Sequence, residues 1–174
     1  RAIASMPLTD LLDRKLVIVT GKGGVGKTTF TAALARAVAA TGRKVLCAEI
    51  VAHPETPSQL VEALGGPNPK EEPVKTAPNI DTVLLTPTMG HRRFLQDTLP
   101  LKVLADAAMR SQGLKKFLSA APGFSDMGVM YRALDLMNRK QWDLVLLDSP
   151  ATGHALALAQ IPEFLVRVIP KGPI

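Results

Sequence analysis

The residues best suited to do chemistry stand together near the start of this 174-residue chain, in the segment G-K-G-G-V-G-K-T-T of residues 21–29. Glycines let a backbone curl until successive N–H groups point inward at an anion. A lysine can neutralise the outer phosphates of a nucleotide, and a threonine hydroxyl is an oxygen ligand that Mg²⁺ accepts. The pattern G-x-x-x-x-G-K-[ST] of phosphate-binding loops is met by Gly21, Gly26, Lys27 and Thr28. The segment therefore predicts a site for ATP and Mg²⁺.

A carboxylate that could serve the same site follows about 120 residues later, where Asp148 ends the apolar run L-V-L-L of residues 144–147. Ligands of open parallel sheets lie beyond the carboxyl ends of the strands. An acid at that position can hold a water molecule on Mg²⁺ while a loop hydroxyl binds the ion directly. We therefore expect Thr28 and Asp148 to be the metal residues, and Lys27 and Asp148 to act in catalysis.

The elements that must position these residues can be predicted from hydrophobic periodicity. Strands are expected over residues 15–20, 45–50, 80–85 and 143–148 with a short edge strand near Val74, and helices over 27–41 and 153–160. The apolar face of the first helix is expected to comprise Phe30, Ala33, Leu34, Ala37 and Val38. Strand, helix and strand in succession form a right-handed βαβ unit. The fold class expected is α/β, a doubly wound and mostly parallel sheet of the phosphate-binding-loop type.

The pattern of residues 88–140 predicts a broken helical insertion, and we expect it to form a helical subdomain within a single domain spanning residues 1–174. Ser125 is a candidate N-cap for its last helix. Five of the six methionines lie between Met89 and Met137. They could pack this insertion against the sheet, which is the more common use of such residues, or they could line an apolar groove, for which flexible methionine is suited.

Composition limits the remaining function classes. The chain is 47% apolar and 21% charged, with no apolar run near the roughly 18 residues that span a membrane. The single cysteine, Cys47, excludes an internal disulfide and favours the cytoplasm. The net charge is +6, but no block of five or six basic residues occurs, so nucleic acid is not expected as the main partner.

Lys22, directly after the first glycine of the loop, makes the assignment more specific. The segment G-K-G-G-V-G-K-T-T resembles that of the deviant Walker A ATPases, a group that includes the arsenite-pump (ArsA type), tail-anchored-protein-targeting, partition and division-site ATPases and the nitrogenase iron protein. The segment D-S-P-A-T-G-H of residues 148–154 resembles the switch of the ArsA-type and tail-anchored-targeting members, and partition and division-site members usually lack its Thr-Gly-His. The resemblance covers roughly residues 15–162.

The resemblance implies roles for individual residues. Lys22 would reach across a dimer interface and assist Lys27 and Asp148 in catalysis. Gly153 would sense the γ-phosphate, and His154 would couple the switch to the helical region. The nucleotide would contact Gly21, Lys22, Gly23, Gly24, Val25, Gly26, Lys27, Thr28, Thr29, Pro150 and Gly153.

Two departures from the family pattern qualify these expectations. The position after the second strand where relatives usually carry a water-orienting Asp, in an S-T-D-P-A-H or E-[VT]-[DE] setting, is Val51 here. Glu49 matches the first acid of the second setting and Glu55 lies nearby, but neither is at the expected position. Because positioning of the attacking water is a large part of phosphoryl transfer, we expect slow or partner-dependent hydrolysis. ArsA-type units are also longer, so the chain is expected to be the N-terminal part of the family domain, with the adenine contacts beyond Ile174.

The expected function is therefore that of a Mg-ATP-dependent ATPase, a homodimer or paired subunit whose nucleotide state is coupled to a partner or hydrophobic client protein. Two alternatives stay open. One is a catalytically weak nucleotide-binding module of a larger assembly, and the other is a partition or positioning ATPase.

Overall fold

The computed structural model describes Leu11 and residues 13–69, 72–98, 110–113 and 124–150. Its strands are β1 (Leu16–Val19), β2 (Val45–Ile50), β3 (Val74–Ala77), β4 (Ile80–Leu85) and β5 (Leu144–Asp148). Its helices are α1 (Lys27–Ala40), α2 (Gln59–Leu64), α3 (Pro87–Thr98) and α4 (Phe124–Asn138). The helix predicted over residues 153–160 lies outside the described residues.

The strands form one sheet in the order β1-β5-β2-β4-β3. The pairs β1–β5, β5–β2 and β2–β4 are parallel, whereas β3 pairs antiparallel with β4 at the edge. Asp148 lies opposite Val19 on one side and opposite Glu49 on the other. The predicted doubly wound, mostly parallel sheet and its edge strand near Val74 are confirmed, and β1, β5 and β2 end together at one edge.

Helices cover both faces of this sheet. One core cluster joins α1 and α2 to side chains of β2, β4 and β5, and a second joins α4 to the opposite face of the same strands. Cys47 is fully buried in the first cluster, and that burial raises the pKa of its thiol to about 12. Cys47 is therefore a small core residue with an unreactive thiol.

The predicted apolar face of α1 is partly wrong. Leu34 and Val38 are buried, but Phe30, Ala33 and Ala37 are exposed. The buried stripe also includes Thr31, Ala32, Ala35 and Ala39. Alanines occur on every side of this helix, so apolar periodicity does not distinguish its faces well.

The helical layer differs from the prediction at two helix starts. Pro87 is the first residue of α3. Proline suits this position because the N–H group that it lacks would have no partner within the helix. Helix α4 begins at Phe124, so Ser125 lies in its first turn rather than at the N-cap. Among the described side chains of α3 and α4, no large apolar group is exposed, and Met127 and Met130 are buried. These methionines are core residues.

Helices α3 and α4 pack at a contact between two glycines. A Cβ atom at Gly90 would overlap the carbonyl oxygen of Gly128, so only hydrogen fits between the two backbones. Helix α4 is also tied to the chain before β3, because Arg132 and Arg139 both pair with Glu72, at 2.7 Å and 2.6 Å. The hydrogen bond from Arg139 is the main cause that lowers the pKa of Glu72. Within the described residues, no helix is both long and apolar enough to span a bilayer.

Candidate functional site

The glycine-rich loop joins the end of β1 to the start of α1. Gly24 and Gly26 have φ angles of 75° and 84°, in the left-handed region that favours glycine. Gly26 is the N-cap of α1, and no side chain caps the helix start. The first-turn N–H groups and the positive end of the helix dipole therefore face the loop, where an anion would meet them.

Lys27 bends back over this loop. Its Nζ donates a hydrogen bond of 3.1 Å to the backbone carbonyl of Lys22. This contact holds the ammonium group above the curled backbone, within the cleft described below. The side chain of Lys22 itself is exposed.

Asp148 lies next to the start of α1, as predicted. Its Oδ2 accepts a hydrogen bond of 2.7 Å from Thr28 Oγ1, across 120 residues of sequence. Its Oδ1 is buried and accepts no hydrogen bond from any residue in the described part of the chain, and the same holds for Ser149 Oγ. Burial raises the pKa of Asp148, and the hydrogen bond from Thr28 and the charge of Lys27 partly offset that rise. The nearby hydroxyl of Thr31, which itself donates to Lys27 O at 2.9 Å, also lowers this pKa. A buried carboxylate oxygen without a donor is costly, so this atom indicates a site that a ligand completes.

The donor set fits Mg²⁺. Thr28 and Asp148 supply oxygen atoms, which this ion prefers. The described residues contain no group of three or more His, Cys, Asp and Glu side chains that could hold a metal alone. That suits an ion that keeps several waters and takes its other ligands from phosphates, rather than from a protein cage.

These residues line a cleft of about 390 Å³ at the carboxyl edge of the sheet. Its described walls are Gly23, Gly24, Lys27, Thr28, Glu49, Ile50, Val51, Ala52, Thr56, Pro57, Gln59, Asp148, Ser149 and Pro150. Val51 is buried, and its N–H donates to Leu85 O at 3.0 Å. An apolar residue therefore stands in the cleft at the position where relatives were expected to carry an acid.

Sequence reasoning missed helix α2 and its link to the cleft. Ser58 caps α2 by accepting a hydrogen bond from Val61 N at 3.0 Å, and Gly65 ends the helix. Ser58 Oγ also donates to Glu49 Oε2 at 2.5 Å, and Leu60 N donates to the same oxygen at 3.3 Å. The serine before Q-L-V-E-A-L and the glycine after it are the signals that could have revealed this helix.

Most of the predicted site residues lie together at this edge. The described lining of the cleft includes Gly23, Gly24, Lys27, Thr28, Asp148 and Pro150. Lys22, Val25 and Thr29 belong to the same loop and first turn but are exposed. Gly153 and His154 lie outside the described residues, so their predicted roles stay predictions.

Comparison with known proteins agrees with this geometry. The profile of the anion-transporting ATPase family (ArsA) matches residues 14–171. The chain belongs to the ArsA family. The match includes both the glycine-rich loop and the D-S-P-A-T-G-H segment.

Individual relatives also match most of this chain. An ATPase ASNA1 homolog of Paramecium tetraurelia is 26% identical over 159 residues, covering 90% of this chain and 47% of that protein. ATPase BagA of Mycobacterium tuberculosis is 31% identical over 170 residues, covering 92% of this chain and 49% of that protein. An ATPase ASNA1 homolog of Dictyostelium discoideum is 27% identical over 162 residues, covering 90% and 44%. The chain spans about half the length of the curated relatives it matches.

Proposed function

We propose that this chain binds Mg-ATP in the cleft at the carboxyl edge of the sheet and hydrolyses it. The observation that carries the proposal is the pair formed by Thr28 and Asp148, beside a phosphate-binding loop. One buried oxygen of this carboxylate accepts no hydrogen bond from the described residues. Membership of the ArsA family, whose relatives are named as ATPases, supports the same function.

Each group has a role that its chemistry allows. The loop N–H groups and the start of α1 bind the phosphates, and Lys27 exchanges the carbonyl of Lys22 for the β and γ oxygens. Thr28 Oγ1 and Asp148 would hold Mg²⁺, the hydroxyl as a ligand and the carboxylate as an acceptor for the waters of the ion. When bound, Mg²⁺ neutralises charge on the transferring phosphoryl group. Pro150 contacts the nucleotide and, by family resemblance, Gly153 senses the γ-phosphate and His154 couples this switch to the helical region.

We propose further that the protein works as a homodimer or a paired ATPase subunit. Val25 and Phe30, 64% and 50% exposed, are the large hydrophobic groups exposed within the described residues; Val25 lies in the loop and Phe30 directly follows it. A second ATPase unit over this surface would cover them and bring the exposed Lys22 to its partner's nucleotide. The ATP-dependent pairing would act on a partner or client protein in the cytoplasm, with residues 88–140 as the responding subdomain of the ATPase domain.

A catalytically weak nucleotide-binding assembly module is the second candidate. The buried, apolar side chain of Val51 in the cleft favours it, because valine cannot orient a water molecule. In that case the chain would bind Mg-ATP with a turnover near the uncatalysed background.

The test replaces Lys27 with alanine in the complete natural protein. We expect Lys27→Ala to weaken Mg-ATP binding and turnover about 100-fold or more, because a preorganised charge on the phosphates is lost. Fluorescence titration with an ATP analogue and steady-state phosphate release measure the two effects. Lys44→Ala, at the other end of the sheet, is the matched control and should change neither. Equal Mg-ATP affinity in the parent and Lys27→Ala would contradict the site.

A further inference from the structure

The cleft contains a carboxylate, Glu49, that matches the first acid of the E-x-[DE] family pattern but has no role assigned above. On the basis of the proposed ATPase function, we propose that Glu49 orients and deprotonates the attacking water, in place of the acid absent at Val51. Glu49 lies two residues earlier, within β2 itself.

Strand register and side-chain alternation direct Glu49 into the site. Glu49 and Asp148 lie directly opposite each other on the parallel strands β2 and β5. Alternate residues along both strands, Val45 and Cys47 on β2 and Leu144 and Leu146 on β5, belong to the core cluster under α1. Because side chains alternate between the two faces of a sheet, Glu49 and Asp148 share the face on which the loop delivers Lys27 and Thr28.

The other side chains near the cleft do not offer the same group. Glu49 and Asp148 are the carboxyl groups among the described residues that line it, and the proposed function already assigns Asp148 to the waters of Mg²⁺. Val51 is apolar, and Glu55 is absent from the described lining. Glu49 is therefore the acid available to a water molecule near the γ-phosphate.

The carboxylate of Glu49 is held in one orientation. Its Oε2 accepts from both Ser58 Oγ and Leu60 N, at the start of α2. Its Oε1 accepts no hydrogen bond from any residue that the structure describes, so it is left for a water molecule. An acceptor fixed before the substrate arrives need not reorganise during the reaction, which is the condition for efficient positioning.

The reaction that follows balances without a further reactant. The water oxygen forms a bond to the γ-phosphorus while the bond from that phosphorus to the β–γ bridging oxygen breaks. The electron pair of the broken bond remains on ADP. The water gives one proton to Glu49 Oε1, and Glu49 returns it to solvent after phosphate leaves.

Glu49→Gln in the complete natural protein tests this role. The carboxamide oxygen can still accept from Ser58 and Leu60, so the anchor of α2 is retained. We expect kcat for Mg-ATP to fall about 100-fold, the lower end of the range for a lost general base, with KM and Kd changed less than about threefold. Adding Val51→Asp to Glu49→Gln should restore part of kcat, because it puts a carboxylate on the same wall of the cleft.

Two control variants separate catalysis from structure. Ser58→Ala removes one of the two donors that hold Glu49 but keeps the carboxylate, so kcat should fall less than in Glu49→Gln, with KM and Kd changed less than about threefold. Glu62→Gln neutralises an exposed carboxylate of α2 that is absent from the described lining of the cleft, and should leave kcat within about twofold.

Several outcomes would overturn the inference. Normal kcat in Glu49→Gln with an active parent would remove Glu49 from the reaction but leave the ATPase function intact. A loss of kcat in Glu62→Gln equal to that in Glu49→Gln would show that the effect comes from lost negative charge near α2. A rise in KM and Kd in Glu49→Gln without a fall in kcat would show a purely structural role. A parent that binds Mg-ATP without turnover would overturn both this inference and the proposed hydrolysis.

Discussion

The two ends of the sheet carry cavities of similar size and different chemistry. The cleft at the carboxyl edge measures about 390 Å³, and a cavity at the amino edge measures about 430 Å³. The described lining of the second cavity is Lys44, Lys75, Asn79, Asp81, Lys140 and Gln141. Each cavity combines lysine with an aspartate, with one lysine in the described lining of the cleft and three in that of the amino-edge cavity, so neither size nor lysine content favours the cleft.

Hydrogen bonding does distinguish them. At the amino edge, Asp81 Oδ2 accepts from Trp142 Nε1 at 2.8 Å, and Asp143 Oδ2 accepts from Lys44 N at the same distance. At the carboxyl edge, Asp148 Oδ1 and Ser149 Oγ are buried without a donor or acceptor from the described residues. Internally satisfied acids stabilise a fold, whereas unsatisfied ones indicate a place for a ligand.

Helix α1 connects the two ends and gives them opposite polarity. It begins at Gly26 beside the cleft and ends near Gly42 beside the second cavity. The cleft receives the positive end of the helix dipole, whereas the second cavity receives the negative end, where Asn79 Nδ2 donates to Ala39 O at 3.4 Å. Phosphates are favoured at the first end and disfavoured at the second, despite the lysines there.

The largest effect that would sharpen this comparison comes from the two aspartates. We expect Asp148→Asn to lower kcat for Mg-ATP about 100-fold, because the buried carboxylate that holds the ion's waters is lost. Asp81→Asn should stay within about twofold of the parent, since the carboxamide oxygen would still accept from Trp142. Steady-state phosphate release across a Mg²⁺ titration measures both variants. Equal losses of kcat in the two variants would mean that the unpaired oxygen of Asp148 does not distinguish the two ends of the sheet.

A smaller effect is expected from the glycines that flank α1. Gly26 and Gly42 have φ angles of 84° and 87°, and a Cβ atom would meet nothing within 4 Å at either position. Alanine should therefore lower the free energy of unfolding by about 1 kcal/mol at both sites through backbone strain alone. Gly26→Ala should in addition weaken Mg-ATP binding about tenfold, because the backbone of Gly26 is part of the phosphate-binding loop. Denaturant unfolding and nucleotide titration separate the effects, and weaker binding in Gly42→Ala would break the comparison.

The smallest effect concerns stability and pH. Burial raises the pKa of Asp148 above its ordinary value of 3.8. Between the ordinary pKa, which applies to the unfolded chain, and the raised pKa of the folded protein, the folded state binds more protons than the unfolded state. The free energy of unfolding therefore falls as pH rises through this interval and stays lower above it. Asp148→Asn should therefore be slightly more stable than the parent at pH 7 without nucleotide, and this gain should disappear as pH falls below 3.8.

Urea unfolding at neutral and acid pH checks this sign. Saturating Mg-ATP should reverse the order at pH 7, because a ligand that binds the native parent more tightly stabilises the parent more. A variant less stable than the parent at pH 7 without ligand would show that the carboxylate is not penalised by its burial.

Much of the carboxyl edge could be predicted because its signals are local. The four parallel strands are apolar runs, and the loop residues from Gly21 to Thr29 follow a spacing tied to one backbone shape. Predictions failed where local signals were weak. Helix α2 has only six residues, and the many alanines of α1 concealed its buried face, so that the exposure of Phe30 was not predicted.

The amino-acid sequence by itself determined the phosphate-binding loop, because the conformations that glycines permit and the charge of Lys27 belong to neighbouring residues. It also determined that β5 would end in an acid, because the apolar run before Asp148 can be recognised without knowledge of any tertiary contact. Only the tertiary structure decided that Glu49 shares a face with Asp148 and is anchored by Ser58. Strand order and register depend on contacts between residues far apart in the chain, and no local pattern encodes which side chains will meet there.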